Sequence, residues 1–320
     1  MYWKARTCHS ILKNRGDLYM TLKNATKWMS ALSLSLLLAA CGNDAEDTGT
    51  DNGTEDAGSD NGSEEIHVIT REDGSGTRGA FVEIVGIEDD NGDDIITQSA
   101  TVQNGTSAVM QGVAGDEFAI GYISLGSLDD SVKGIEVDGA APTAEAIASG
   151  EYAVARNFNV TYGSELSEVA QDFYDFFFSA QAQDIAVDQG YVAVDSDAAE
   201  YEAAGLNGSI SVVGSTSVQP LMEAFAEAYK ELNPDVTIDI TAPGSGAGIT
   251  SAIDGTSDIG MSSRELTDEE LDQVLEAAPI AIDGIVVIVN NNNPLETLKI
   301  EEIRGIYFEY YSTWNELLDN

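Results

Sequence analysis

Three turns rich in glycine, serine and threonine, each set between a strand-like run and an amphipathic helical pattern, constrain this chain more than any other feature. They are Arg71-Glu72-Asp73-Gly74-Ser75-Gly76-Thr77-Arg78, Gly214-Ser215-Thr216-Ser217-Val218-Gln219-Pro220 and Pro243-Gly244-Ser245-Gly246-Ala247-Gly248. Strand, glycine turn and helix make one α/β unit, and the helix N-terminus in it offers unpaired N–H groups at the positive end of the helix dipole. Three such termini converging would cage a dehydrated oxyanion. The pattern points to an α/β fold and to anion capture.

Apolar spacing fills in the remaining elements. Residues 66–70 alternate as a strand, and the helix after the first turn places Ala80, Phe81, Ile84 and Val85 on one face. Residues 118–128 read as a buried strand and turn, and 166–180 as a helix with Val169, Phe173, Phe176 and Phe177 in a core. Strand 210–213, helix 220–232 stopped by Asn233-Pro234, strand 236–240, helix 249–253 and strand 286–289 follow, and 303–318 reads as a helix with a turn around Trp314. Such alternation predicts a mainly parallel sheet covered on both faces, and 43% apolar residues suffice for two cores. Residues 195–207 form an acidic, alanine-rich connector.

The first 41 residues are organised differently. Lys23 and Lys27 precede the apolar run 31–40, too short for the ~20 residues of a spanning helix. A basic region, a short apolar run and small residues read as a secretory signal, with Met20 as a start of ordinary length. Its ending, Leu38-Ala39-Ala40-Cys41-Gly42, resembles a bacterial lipobox, which implies cleavage before Cys41 and a lipid on its sulfur. Residues 42–64 are polar and acidic, a solvated tether. Cys8 and Cys41 are the two cysteines, so the mature fold has neither disulfide nor thiolate metal site. Eight of the 14 Lys and Arg, but 55 of the 56 Asp and Glu, follow Cys41, a formal charge of −47 that excludes nucleic acid as a partner.

The three turns, with Asp258-Ile-Gly-Met-Ser-Ser-Arg264 and Ala281-Ile-Asp-Gly-Ile-Val-Val-Ile-Val-Asn290, together resemble the phosphate-binding proteins of bacterial phosphate ABC transporters, a type II periplasmic-binding-protein family. The resemblance covers nearly all of residues 65–320, in exchanged order: 208–320 resemble the family's first part and 65–195 its remainder. Either a circular permutation, with 195–207 joining the old ends, or a piece spanning two adjoining copies gives this order. The resemblance implies two α/β lobes joined by a hinge, 65–154 with 284–320 and 155–283, closing on a ligand in the cleft between them.

It also implies roles. Arg71 grips phosphate oxygens with its guanidinium, oriented by Asp73; Ser75, Gly76 and Thr77 add N–H groups and hydroxyls. Thr216 and Ser217, or Ser215 if the turn is shifted, match the second contact, and Ser245 the third. Where some members carry a carboxylate that accepts the proton of phosphate, this chain has Ser263, followed by Arg264 as a source of charge. The expected ligand is inorganic phosphate, handed to a membrane permease by a protein held at the outer face of the cytoplasmic membrane through Cys41. Alternatives are a sulfate-like anion, phosphate sensing, or a phosphatase-like enzyme. The last is poorly supplied, since His67 is the one histidine beyond the signal. No metal or cofactor is expected.

Overall fold

A computed structural model describes residues 65–89 and 92–318, all within one compact unit spanning Gly58–Asn320. The signal segment 1–41, with Cys41, and the tether 42–64 lie outside the described residues.

β1 (His67–Arg71) runs into the first turn, where Ser75 caps α1 (Gly76–Val85), its Oγ accepting the Arg78 N–H. Gly86 ends α1 in the left-handed region at φ 76°. β2 (Thr101–Gln103), α2 (Thr106–Ala114) and β3 (Ala119–Ser124) follow, and every residue of β3 is buried. β4 (Lys133–Gly134), β5 (Glu136–Val137) and α3 (Ala144–Ser149) lead to β6 (Ala155–Tyr162). The helix expected over 166–180 is α4 (Glu168–Phe176), which stops four residues early, and a further helix that the sequence reading did not give, α5 (Ala180–Asp188), follows it. Ser179 makes the break: its Oγ donates to the Phe176 carbonyl and accepts the Ala182 N–H. β7 (Gly208–Gly214), α6 (Gln219–Leu232) and β8 (Val236–Thr241) form the next unit, followed by α7 (Ser245–Ile253), β9 (Ile259–Ser262) and α8 (Asp268–Leu271). β10 (Glu276–Val289), β11 (Thr297–Leu298), α9 (Ile300–Tyr307) and α10 (Asn315–Leu318) complete the described chain.

The main sheet runs β2-β1-β3-β10-β6-β9-β7-β8, with β4 added beside β10. It is mixed rather than mainly parallel. β1 is parallel to β2 and β3, and β7 to β8 and β9, as βαβ units require. The three pairings at the centre, β3 with β10, β10 with β6 and β6 with β9, are antiparallel. β10 explains this: its first part pairs with β6 up to Gly284, and from Ile285 it pairs with β3. The strand expected at 286–289 is thus the end of a 14-residue strand that crosses the whole molecule. Pro279, which has no N–H for a ladder, sits at the register shift.

The buried apolar residues lie on either side of this crossing. One group gathers Phe81, Tyr122, Val287, Tyr307 and Trp314, with the Phe81 and Tyr122 rings stacked at 4.0 Å. Another gathers Phe158, Phe173, Phe177, Leu221, Phe225 and Tyr229. The architecture is therefore a two-lobe α/β fold with β6 and β10 running between the lobes.

The acidic connector is anchored rather than free. Tyr201 packs its ring against Phe176 and Tyr229. Its hydroxyl donates to Asp172 Oδ2 at 2.6 Å and accepts from Asn233 Nδ2 at 2.8 Å. Tyr201→Phe removes both bonds and is expected to cost about 1–2 kcal/mol of stability. Urea unfolding with an unchanged m-value would register it.

Candidate functional site

All three glycine turns meet, the first following β1 on one side of the crossing strands and the other two following β7 and β8 on the other. Arg71 ends β1 with 1% of its surface exposed. Its Nε and Nη2 donate to the two carboxylate oxygens of Glu72, both at 2.8 Å, and Nη2 also donates to Thr216 Oγ1 of the second turn at 2.9 Å. Nη1 is buried with no hydrogen-bond partner among the described residues. A fully buried guanidinium donor without an acceptor is costly, so this N–H group is able to take an oxygen of an anion as its acceptor. Burial alone would push the Glu72 carboxyl up. The hydrogen bonds and charge of Arg71, with N–H groups from Glu72 itself and Gly105, outweigh it and hold the carboxyl below its ordinary value.

Next to Arg71 lies a cluster of hydroxyls drawn from both sides of the crossing strands. Thr77 Oγ1 meets Ser217 Oγ at 2.8 Å, and Ser215 Oγ donates to Ser263 Oγ at 2.9 Å. Ser263 Oγ also lies 3.3 Å from Ser245 Oγ and 3.5 Å from Thr77 Oγ1. Ser75, Thr77, Ser215, Ser217, Ser245 and Ser263 are all buried, Thr216 partly so. Gly76 faces Ser245 and Ser263 so closely that a Cβ there would lie 2.7 Å from Ser263 Oγ. The Gly246 N–H donates to the Gly74 carbonyl at 3.1 Å, a backbone bond from the third turn to the first. Every residue expected to touch the anion is therefore in or beside one buried cluster.

The third turn differs in one respect from expectation. The helix read over 249–253 begins at Ser245, because Gly244, at φ 129°, turns the chain so that Ser245 opens α7. Gly248 then passes against the backbone of Gly214, a contact a side chain would forbid: its Cβ would lie 2.5 Å from Gly214 Cα.

The two residues expected to support the site are committed elsewhere. Asp73 does not orient Arg71: its side chain is 99% exposed and pairs with Arg78 at 3.0 Å. Glu72 takes that role, since the turn aims the side chain next to Arg71 inward and sends Asp73 out to solvent. Arg264 does not lend its charge to the cluster, because its Nη1 and Nη2 each lie 2.8 Å from an oxygen of Glu270.

Hydrogen bonds from Arg264 hold the Glu270 carboxyl below its ordinary value of 4.5, against the opposing push of burial. A lowered carboxyl stabilises the fold above its unfolded value, and that contribution is lost as pH falls through the folded one. Glu270→Gln is therefore expected to melt earlier than the wild type near neutral pH, and the gap to close on acidification. Solvent screening of this partly exposed pair limits the neutral-pH loss to about 1 kcal/mol. Paired melting curves at neutral and acid pH check this.

Three residues in or behind this cluster escaped the sequence reading. Thr106 opens α2, and its Oγ1 lies 3.2 Å from Ser217 Oγ and 3.3 Å from Thr216 Oγ1, so a fourth helix N-terminus reaches the cluster. Its signal was present in Gly105-Thr106-Ser107 ahead of an apolar helical run. The others are Arg156 on β6 and Asp283 on β10, a buried ion pair at 3.0 Å behind Ser263. Burial pushes the Asp283 carboxyl up, against the pull of Arg156 and of donors from Ser124 and Leu125.

Comparison with known proteins gives the family. The PBP superfamily domain matches residues 19–181 and 199–320. Phosphate-binding protein PstS 2 of Streptococcus pneumoniae (strain TIGR4) is 44% identical over 293 residues, covering 90% of this chain and 97% of that protein. Phosphate-binding protein PstS of Pseudomonas aeruginosa (strain PAO1) is 36% identical over 124 residues, covering 36% of this chain and 38% of that protein. The crystal structure of the phosphate-binding protein of a phosphate ABC transporter from S. pneumoniae TIGR4 superposes with a TM-score of 0.65 at 46% identity, covering 79% of this chain and 99% of that one. The S. pneumoniae protein thus follows this chain's order of segments almost end to end, whereas the P. aeruginosa protein matches it along one stretch.

Proposed function

The chain belongs to the PBP superfamily, among its PstS-type phosphate-binding proteins, and from that premise we propose that it captures inorganic phosphate between its lobes and delivers it to the membrane permease of a phosphate ABC transporter. One observation carries the reading: Arg71, whose buried Nη1 has no hydrogen-bond partner among the described residues, reaches with Nη2 to Thr216, at the edge of a cluster of buried hydroxyls. A tetrahedral oxyanion satisfies that N–H and replaces hydroxyl-to-hydroxyl contacts with charge-assisted ones. Because Arg71 and Thr77 come from one lobe and Ser217, Ser245 and Ser263 from the other, the anion favours the closed arrangement. We assign the lobes as 65–154 with 284–320 and 155–283. Cys41 carries the lipid that holds the protein at the outer face of the cytoplasmic membrane, with 42–64 as its tether. The role is binding and delivery, not catalysis.

Sulfate is a second reading with its own support, since the described hydrogen bonds of the cluster's hydroxyls involve no carboxylate. A hydroxyl either donates or accepts, so Ser263 serves a protonated phosphate oxygen or a bare sulfate oxygen. Calorimetric titration of the full chain with phosphate, then with sulfate in competition, separates the two. Tight 1:1 phosphate binding that sulfate displaces poorly supports the proposal; a folded sample that takes up no phosphate rejects it.

A further inference from the structure

We infer that Arg156 is a positioning residue for the anion site: anchored by Asp283 on the strands that cross between the lobes, it fixes Ser263 in the hydroxyl cluster. The inference rests on the anion-binding reading above.

Arg156 and Asp283 are direct partners in the antiparallel register of β6 and β10. Nε and Nη2 of Arg156 donate to Asp283 Oδ2 at 3.3 and 3.0 Å, and Nη1 donates to the Ser263 carbonyl at 3.0 Å. The other carboxylate oxygen, Asp283 Oδ1, accepts from Ser124 Oγ at 2.9 Å and from the Leu125 N–H at 3.1 Å. One string of bonds therefore runs from the end of β3 in one lobe, through the crossing strands, to Ser263 in the other.

Holding β6 to β10 does not require this pair. The two strands already share a backbone ladder from Glu276 to Gly284, and a buried ion pair is no more stabilising than a well-packed apolar pair. What the pair supplies is geometry at Ser263. The Ser263 N–H donates to Ser245 Oγ at 3.1 Å, and its carbonyl is held by Arg156, so both its main-chain polar groups are fixed. The hydroxyl between them is thereby aimed at Ser215 and Ser245. Ser263 follows β9 directly and belongs to no helix, so no helical ladder does this work instead. Without Arg156 the buried Ser263 carbonyl loses its donor and the residue is free to turn.

A double-mutant cycle tests this on the full chain, with phosphate titrated into wild type, Arg156→Lys, Ser263→Ala and the double variant. Lysine keeps a charge against Asp283 but does not hold that carboxylate and the Ser263 carbonyl at once. Arg156→Lys is expected to weaken binding about tenfold, and the double variant to bind about as well as the weaker single one. Tyr152→Phe removes a different buried bond on β10, from the Tyr152 hydroxyl to the Ile285 carbonyl. It should lower the melting temperature yet leave affinity within about twofold, which separates positioning from general support. Affinity of Arg156→Lys within about twofold of wild type, or losses that multiply in the double variant, would overturn the inference. If Arg156→Lys does not fold, Asp283→Asn enters the same cycle with the same expected coupling. Wild type that binds sulfate alone sinks the ligand reading only, and the cycle is then read with sulfate; wild type that binds neither anion overturns both.

Discussion

Arg71→Met is expected to weaken phosphate binding by about a thousandfold, close to 4 kcal/mol. The substitution removes the buried Nη1 that has no protein partner among the described residues, and with it the cationic group that meets the hydroxyl cluster at Thr216. It also strands Glu72, whose carboxylate is bonded at 2.8 Å by two guanidinium nitrogens. The double variant Arg71→Met with Glu72→Gln separates these effects, restoring stability without restoring binding. Arg71→Lys retains the charge but loses the planar fork that satisfies Glu72, Thr216 and the ligand together, and should cost about ten- to a hundredfold. Titration of the three variants reads the order directly. Arg71→Met binding within about tenfold of wild type would mean that the hydroxyls and helix termini carry the affinity alone.

How far the sequence reveals this arrangement depends on whether a contact is local. The three glycine turns are legible because each combines a backbone requirement, a capping hydroxyl and the helix that follows within about eight residues. The choice between Glu72 and Asp73 is not legible, since both reach Arg71 along the chain and the path of the turn decides which faces inward. Thr106 is obscured because the strand before it, β2, has three residues, two of them exposed, and so lacks the apolar run that announced the other turns. Arg156 and Asp283 are separated by 127 positions, and a lone basic residue in a strand gives no sign of its partner. The direction of the strands is hidden for a related reason. Alternation marks a strand but not its neighbour, and Pro279 interrupts β10 where it would otherwise read as one long element. The exchanged order of segments leaves the site intact because the turns meet in space, whichever of them comes first in the chain.

Gly76→Ala should separate lobe closure from charge. It is expected to reduce phosphate affinity by roughly a hundredfold, about 2–3 kcal/mol, while leaving the protein folded. The added methyl would stand 2.7 Å from Ser263 Oγ and 2.9 Å from Ser245 Cβ, both on the opposite lobe. Rotating the serine hydroxyls relieves the first approach but not the second, because Ser245 Cβ is fixed to the first turn of α7. The lobes must therefore move apart, which lengthens the contacts between Thr77 and Ser217 and between Arg71 and Thr216 at the proposed anion site. Within its own lobe the change is mild: Gly76 is the first residue of α1, and alanine favours a helix over glycine by up to about 1 kcal/mol. Affinity and melting temperature should accordingly move independently, binding falling sharply while the melting transition holds or rises. A variant that keeps wild-type affinity would show that the lobes grip the anion without closing to the contact seen between Gly76 and Ser245.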